Sequence, residues 1–250
     1  MLRSPVADAS QDPAIVFPAL VFLLDVDNTL LDNDRFSVDL DARLTQALGP
    51  AGQQRYRALY QALRMQRGYA DYLEPLQQMR SDFEADPDLL QLSAFLLDYP
   101  FADLLYPGAL DAIAHLRTLG VPVILSDGDI VFQPRKIQQS GLWDAVQGRV
   151  LVYLHKEHRL DAVQEAYPAQ HYVMVDDKPR LLAAIKTELG PRVTTVFVRQ
   201  GHYAVEAGVN ALQPPPDLAI ACIGDLVGMD LVGMEMSRFL SSPVTSQEFP

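Results

Sequence analysis

Six short apolar runs, separated by stretches of helical periodicity, constrain the fold of this chain more than any other feature. "ALVFLLDV" opens the series at Ala19–Val26, followed by "VPVILS" at Val121–Ser126 and "RVLVYL" at Arg149–Leu154. "HYVMVDD" at His171–Asp177, "RVTTVFV" at Arg192–Val198 and "LAIACIG" at Leu218–Gly224 complete it. Such runs are too short for helices and too continuously apolar for half-exposed strands, so they read as strands buried on both faces. Between them, "GALDAIAHLRTLG" places Leu110, Ile113, Ala114 and Leu116 near one face and stops at Gly120. "PRLLAAIKTELG" repeats that design, with glycine again as the stop signal. Alternating strands and helices predict an α/β fold: a Rossmann-like parallel sheet with helices on both faces and right-handed crossovers.

One region breaks the alternation. Residues 34–105 contain no good strand but four helical stretches: "SVDLDARLTQALG", "QQRYRALYQALRMQR", "DYLEPLQQMRSDF" and "PDLLQLSAFLLD". The expected organisation is therefore a core of 14–33 and 106–235, a helical insertion of 34–105 after the first strand, and loose tails at 1–13 and 241–250. Within the insertion, Tyr56, Leu59, Tyr60 and Leu63 follow the helical apolar period and read as packing. Arg57 and Arg64 flank that stripe; a solvated helix face is the simpler reading, and contact with an anionic substrate the sharper one.

Charge narrows the function. The net charge is −12 and only four basic residues are lysines. Such a chain is a poor nucleic-acid or membrane-surface binder. If its substrate is an anion, positive charge must come from a few residues or a metal. The single cysteine, Cys222, excludes a disulfide within the chain and a cysteine-based zinc site. The apolar stretch Ala14–Leu24 is broken by Pro18 and is too short to span a bilayer. The expected location is the cytoplasm.

In an open α/β sheet, ligands bind outside the carboxyl ends of the strands. Asp25 and Asp27 follow the first run, Ser126 ends the second, and Asp176 with Asp177 ends the fourth. Taken singly, each has a plainer reading as a strand-end, turn or helix-capping residue. Together, four carboxylates in one crevice would repel each other and take up protons. A hard divalent cation relieves that repulsion. Mg²⁺ prefers oxygen donors and is commonly shared between one or two carboxylates and a substrate phosphate.

"DVDNT" at Asp25–Thr29, "VILSDGD" and "VMVDDK" resemble, in order, the first, second and fourth motifs of the haloacid dehalogenase-like hydrolase superfamily. The insertion also sits where that superfamily places its type-1 helical cap. The resemblance implies a Mg²⁺-dependent phosphatase of its phosphatase-like branch, acting on a small phosphorylated metabolite. Asp25 would be the nucleophile that forms an aspartyl-phosphate, and Asp27 the general acid and base. Ser126, Lys156 and Asn28 would contact the phosphate, and Thr29 would brace the loop. Asp177, Asp176, Asp25 and the backbone carbonyl of Asp27 would hold the metal. Lys156, in "YLHKEHRLDAV", is the best of the four lysines for the third motif, although the proline that usually follows is replaced by Glu157. Lys178, Lys136 and Lys186 are the others, with Lys186 expected at the surface.

Asp127 and Asp129 read as turn and cap residues, and His155 with His158 as solvated surface. His202 is a candidate for the site rim. The alternatives are a 2-haloacid dehalogenase, a phosphomutase, or a binding protein that keeps the motifs without turnover. No nucleic-acid or membrane partner is expected.

Overall fold

The computed structural model describes residues 19–81, 87–205, 213–229 and 231. The expected tails, together with residues 14–18 and 232–235 of the expected core, lie outside the described residues. All six apolar runs form strands: β1 (Leu20–Leu24), β2 (Val121–Asp127), β3 (Val150–Tyr153), β4 (His171–Asp176), β5 (Val193–Val198) and β6 (Leu218–Ile220). They make one parallel sheet in the order β3-β2-β1-β4-β5-β6. The order reverses on either side of β1, so β2 and β4 both neighbour it and their carboxyl ends open onto one crevice.

Alternation along each strand divides the core in two. Phe22, Leu24, Ile124, Val173 and Val175 face one side, against α4 (Ala109–Leu119), α5 (Phe132–Gln139) and the inserted helices. Val21, Leu23, Val123, Leu125 and Met174 face the other, against α7 (Leu160–Ala166) and α8 (Pro179–Leu189). A four-residue helix, α6 (Leu142–Ala145), leads into β3. The buried stripe of α4 is Ala109, Ala112, Ile113 and Leu116, while Leu110 and Ala114 are exposed. The expected face is thus rotated by one residue, because Ala109 and Ala112 complete the i, i+3, i+4, i+7 set.

Among the described residues between β1 and α4 lie three α-helices and no strand: α1 (Asn33–Arg67), α2 (Glu74–Met79) and α3 (Pro87–Asp98). α1 merges two of the expected helical stretches. At Gly49 (φ 69°, ψ 177°) the backbone leaves the helical region, and Pro50 follows. Arg57 Nε lies 2.6 Å from Asp41 Oδ1, and Gln53 Nε2 donates to the same oxygen at 2.7 Å. Sixteen residues of straight helix would hold Arg57 and Asp41 about 24 Å apart, so the two arms fold back as a hairpin. Arg57 also donates to the carbonyl of Ser37, so it ties the arms together rather than facing a ligand. α2 is shorter than "DYLEPLQQMRSDF" predicts. Asp71 Oδ1 accepts from the backbone N–H of Leu73 and Glu74, and Pro75 follows in the first turn, which fixes the start at Glu74. Tyr56, Tyr60 and Leu63 are buried as expected.

Lys186 is not a free surface lysine. Its Nζ donates to the Val193 carbonyl at 2.6 Å and to Asp217 at 2.9 Å, a strut between α8, β5 and the start of β6. Among the described residues no helix is long and apolar enough to cross a membrane.

Candidate active site

Asp25 follows β1 directly, and its backbone N–H donates to the Val175 carbonyl at 3.0 Å, which continues the pairing with β4. Its carboxylate is buried, yet both oxygens are engaged. Oδ1 accepts from Lys156 Nζ at 2.5 Å and Oδ2 from the Thr29 hydroxyl at 3.2 Å. Lys156 lies on a 3-10 turn after β3, and its ammonium is fully buried. It also donates to Asp176 Oδ2 at 2.7 Å and to the Leu125 carbonyl at 3.1 Å, so three acceptors meet its three protons. Asp127, expected as a turn residue, fixes that lysine: its Oδ1 accepts from the Lys156 backbone N–H at 2.8 Å. Asp129 caps α5 through the N–H groups of Val131 and Phe132.

Asp25, Asp176 and Asp177 form, among the described residues, a group of buried acids with oxygens within 4.8 Å of one another. Neither carboxylate oxygen of Asp177 has a hydrogen-bond partner among the described residues. Burial, then the charges of Asp176 and Asp25, push its pKa up to about 9. Asp25 moves the other way. Burial opposes ionisation there, but Lys156 and Lys178 outweigh it and hold the carboxyl below its ordinary value. Burial likewise opposes a charged Lys156, and Asp176 with Asp25 more than offsets it. An orphaned, buried carboxyl beside two further oxygen donors matches what a hard divalent cation requires.

Asp27 does not join this group through its side chain. Its Oδ1 accepts from Lys136 Nζ at 2.7 Å, and Oδ2 from Gln133 Nε2 at 3.3 Å. Gln133 also donates to Ser126 Oγ at 2.9 Å, which links the end of β2 to the Asp27 loop. Any contact of Asp27 with a metal is left to its backbone carbonyl, as the resemblance implies.

Asn28 departs from the expected phosphate contact. It has a left-handed backbone (φ 62°), and its side-chain carbonyl accepts from the N–H groups of Asn33 and Asp34 while its amide donates to Asp34. The side chain is committed to the first turn of α1. His202, in the loop after β5, reaches the same place. Its Nδ1 lies 2.7 Å from Asp34 Oδ1 and its backbone N–H donates to Asp34 at 2.8 Å. These contacts tie the loop after β5 to the first turn of α1. His155 and His158 stand with rings 5.7 Å apart beside a cleft of about 410 Å³ at the β3 edge and join no metal-binding group among the described residues.

Three of the four lysines converge here, and Lys156 and Lys136 are both spent on the acids themselves. Lys178 follows the paired acids directly. Burial works against its charge, but Asp25, Asp176 and Asp177 raise its pKa. It stands 5.9 Å from the ring centre of Tyr203, whose hydroxyl accepts from Arg64 of α1 at 2.9 Å. Lys178 and Tyr203 line a cleft of about 470 Å³ with Arg180 and Glu157. Arg64 thus crosses from α1 to the loop after β5, and its guanidinium is met there by a tyrosine hydroxyl. The sequence marked Lys136 only as one of four candidate lysines and gave no role to Gln133 or Tyr203. The one available signal was Gln133 and Lys136 at i, i+3 on the helix after Ser126, a spacing that puts both on one face.

The haloacid dehalogenase-like hydrolase family profile matches residues 20–187. A protein of Burkholderia xenovorans LB400 classed with those hydrolases is 56% identical, with 84% of this chain and 98% of that chain covered and a TM-score of 0.79. YfnB of Bacillus subtilis, a HAD-hydrolase solved bound to magnesium, shares the fold at 16% identity, covering 84% of this chain and 97% of its own, with a TM-score of 0.54. A defluorinating L-2-haloacid dehalogenase, Rha0230, shares it at 14% identity, covering 84% and 94%, also with a TM-score of 0.54. No curated protein matches the chain.

Proposed function

The chain belongs to the haloacid dehalogenase-like hydrolases, and on that footing we propose that it is a Mg²⁺-dependent phosphatase acting on a small phosphorylated metabolite. The observation that carries this reading is Asp177. A buried carboxyl with two unpartnered oxygens, beside Asp25 and Asp176, is costly unless a cation completes it. Displacement at the carbon of a 2-halo acid has no use for such a site, because halide departs without a proton or a metal.

Asp25, Asp176 and Asp177 would hold the ion, with the Asp27 carbonyl as a fourth donor. Bound there, Mg²⁺ would offset the negative charge of the phosphate. The residues of the chain do the rest. Lys156 keeps Asp25 ionised and oriented, so that a carboxylate oxygen attacks phosphorus and forms an aspartyl-phosphate. Asp27 gives a proton to the departing oxygen, then takes one from the water that cleaves the acyl phosphate. Ser126 and Lys178 supply a hydroxyl and a cation to the phosphate oxygens. The inserted helices close over the strand ends and exclude water and bulky esters, which favours a small substrate.

The test is phosphate release from a panel of phosphorylated metabolites and an aryl phosphate, with and without Mg²⁺. Turnover should require Mg²⁺, stop with EDTA and vanish in Asp25→Asn. Halide release from a 2-halo acid that persists in EDTA would replace this reading with dehalogenation.

A further inference from the structure

Lys136 is the most unusual side chain that the proposed chemistry leaves unused. It is fully buried, and the ring centres of Phe132, Phe101, Phe36 and Tyr72 surround its ammonium at 5.2–5.8 Å. Burying an ammonium is expensive, and methionine or leucine would fill a ring-lined space without that cost. Packing therefore does not account for a lysine. Its hydrogen bonds do: Asp27 Oδ1 at 2.7 Å and Asn33 Oδ1 at 3.0 Å.

We infer that Lys136, with Gln133, positions the Asp27 carboxyl and determines which of its oxygens serves the leaving group. The inference rests on the phosphatase reading. Oδ1 is held by a short, charge-assisted bond inside the aromatic cage. Among the described residues, Oδ2 has only the 3.3 Å contact from Gln133, an amide shared with Ser126. Oδ2 is thus the oxygen that exchanges a proton. The P–O bond to the leaving group breaks as the Asp25–phosphorus bond forms, and the proton on Oδ2 passes to the departing oxygen. In the second half, water attacks phosphorus, its proton returns to Oδ2, and Asp25 is released as carboxylate. Asn33 is the first residue of α1, so the same ammonium ties the start of the inserted helices to the working carboxyl. The arrangement is complete only when that first turn is seated against the core.

The experiment is a double-mutant cycle on the full chain with Mg²⁺, combining Lys136→Met and Asp27→Asn. Turnover is followed with an alkyl phosphate, which needs a proton on its leaving oxygen, and with 4-nitrophenyl phosphate, which needs it far less. A misplaced general acid costs on the order of 100-fold in kcat. Lys136→Met should lose that much with the alkyl ester and clearly less with the aryl ester, with KM unchanged. Lys136→Arg should recover part of the loss, and in the Asp27→Asn background Lys136→Met should cost nothing further. An active wild type with full alkyl-ester turnover in Lys136→Met, a loss confined to KM, or the same loss in the Asp27→Asn background overturns this inference alone. A wild type inert toward every ester overturns the phosphatase reading and this inference with it. If Lys136→Met does not fold, Gln133→Leu and Lys136→Arg take its place, and undiminished kcat for the alkyl ester in both overturns the inference.

Discussion

Replacing Asp177 by Asn removes a carboxyl group that the folded protein, without a metal, keeps mostly protonated at neutral pH. Burial and the neighbouring charges of Asp176 and Asp25 lift its pKa to about 9, whereas the unfolded chain titrates it near its ordinary value of about 3.9. Above that value the unfolded state gives up the proton and the folded state retains it. Because the folded state binds more protons, stability falls as pH rises. Between pH 4 and 7 that covers about three pH units at ~1.4 kcal/mol each, so the metal-free wild type should lose on the order of 4 kcal/mol relative to Asp177→Asn. For a chain of this length that is roughly 8–16 °C in Tm. The other acids titrate in both proteins, so the difference between the two curves isolates Asp177. The assay is thermal unfolding in EDTA from pH 4 to 8, repeated with excess Mg²⁺. Asp177→Asn should gain on the wild type steadily as pH rises, and Mg²⁺ should raise the wild-type Tm at pH 7 but not that of the variant. Parallel pH curves would refute the reasoning, since Asp177 would then be as well solvated or paired when folded as when unfolded.

Lys156→Met should be inactive and should lose about 3–5 kcal/mol of stability in denaturant unfolding, because Asp25 and Asp176 are left as buried charges without their shared cation. Arg64→Ala and Tyr203→Phe each cut the bond that joins α1 to the loop after β5, so steady-state kinetics should show KM rising several-fold with kcat little changed. Gly201→Ala should cost about 1–3 kcal/mol in a melting experiment. Its φ is 65°, and an added Cβ would meet the Asn28 side chain at 2.5 Å, displacing the residue that fastens the start of α1.

The positions of the strands were legible because a parallel strand is specified locally, although β3 and β6, at the sheet edges, are only partly buried where burial on both faces was expected. A run such as "HYVMVDD" is apolar on both faces wherever it sits in the sheet. Once the strands are parallel, their carboxyl ends share one edge, so Asp25, Ser126 and Asp176 with Asp177 could be assigned to a single crevice from the sequence. Helix limits were less legible. The hairpin in α1 depends on Gly49 leaving the helical region, and the short α2 on the Asp71 carboxylate taking the first backbone donors.

The sequence by itself determined the α/β architecture, the insertion after β1 and the acids at the strand ends, each through interactions between near neighbours in the chain. Only the tertiary structure decided which cations answer those acids. Lys136 is 109 residues from Asp27 and Lys156 is 131 from Asp25, and no local pattern reports on such a pairing. The same holds for Asn28, for which the family resemblance implied a phosphate contact and whose side chain bonds Asn33 and Asp34. Electrostatic partners are selected by distance in space, and that distance exists only after the sheet has brought its strand ends together.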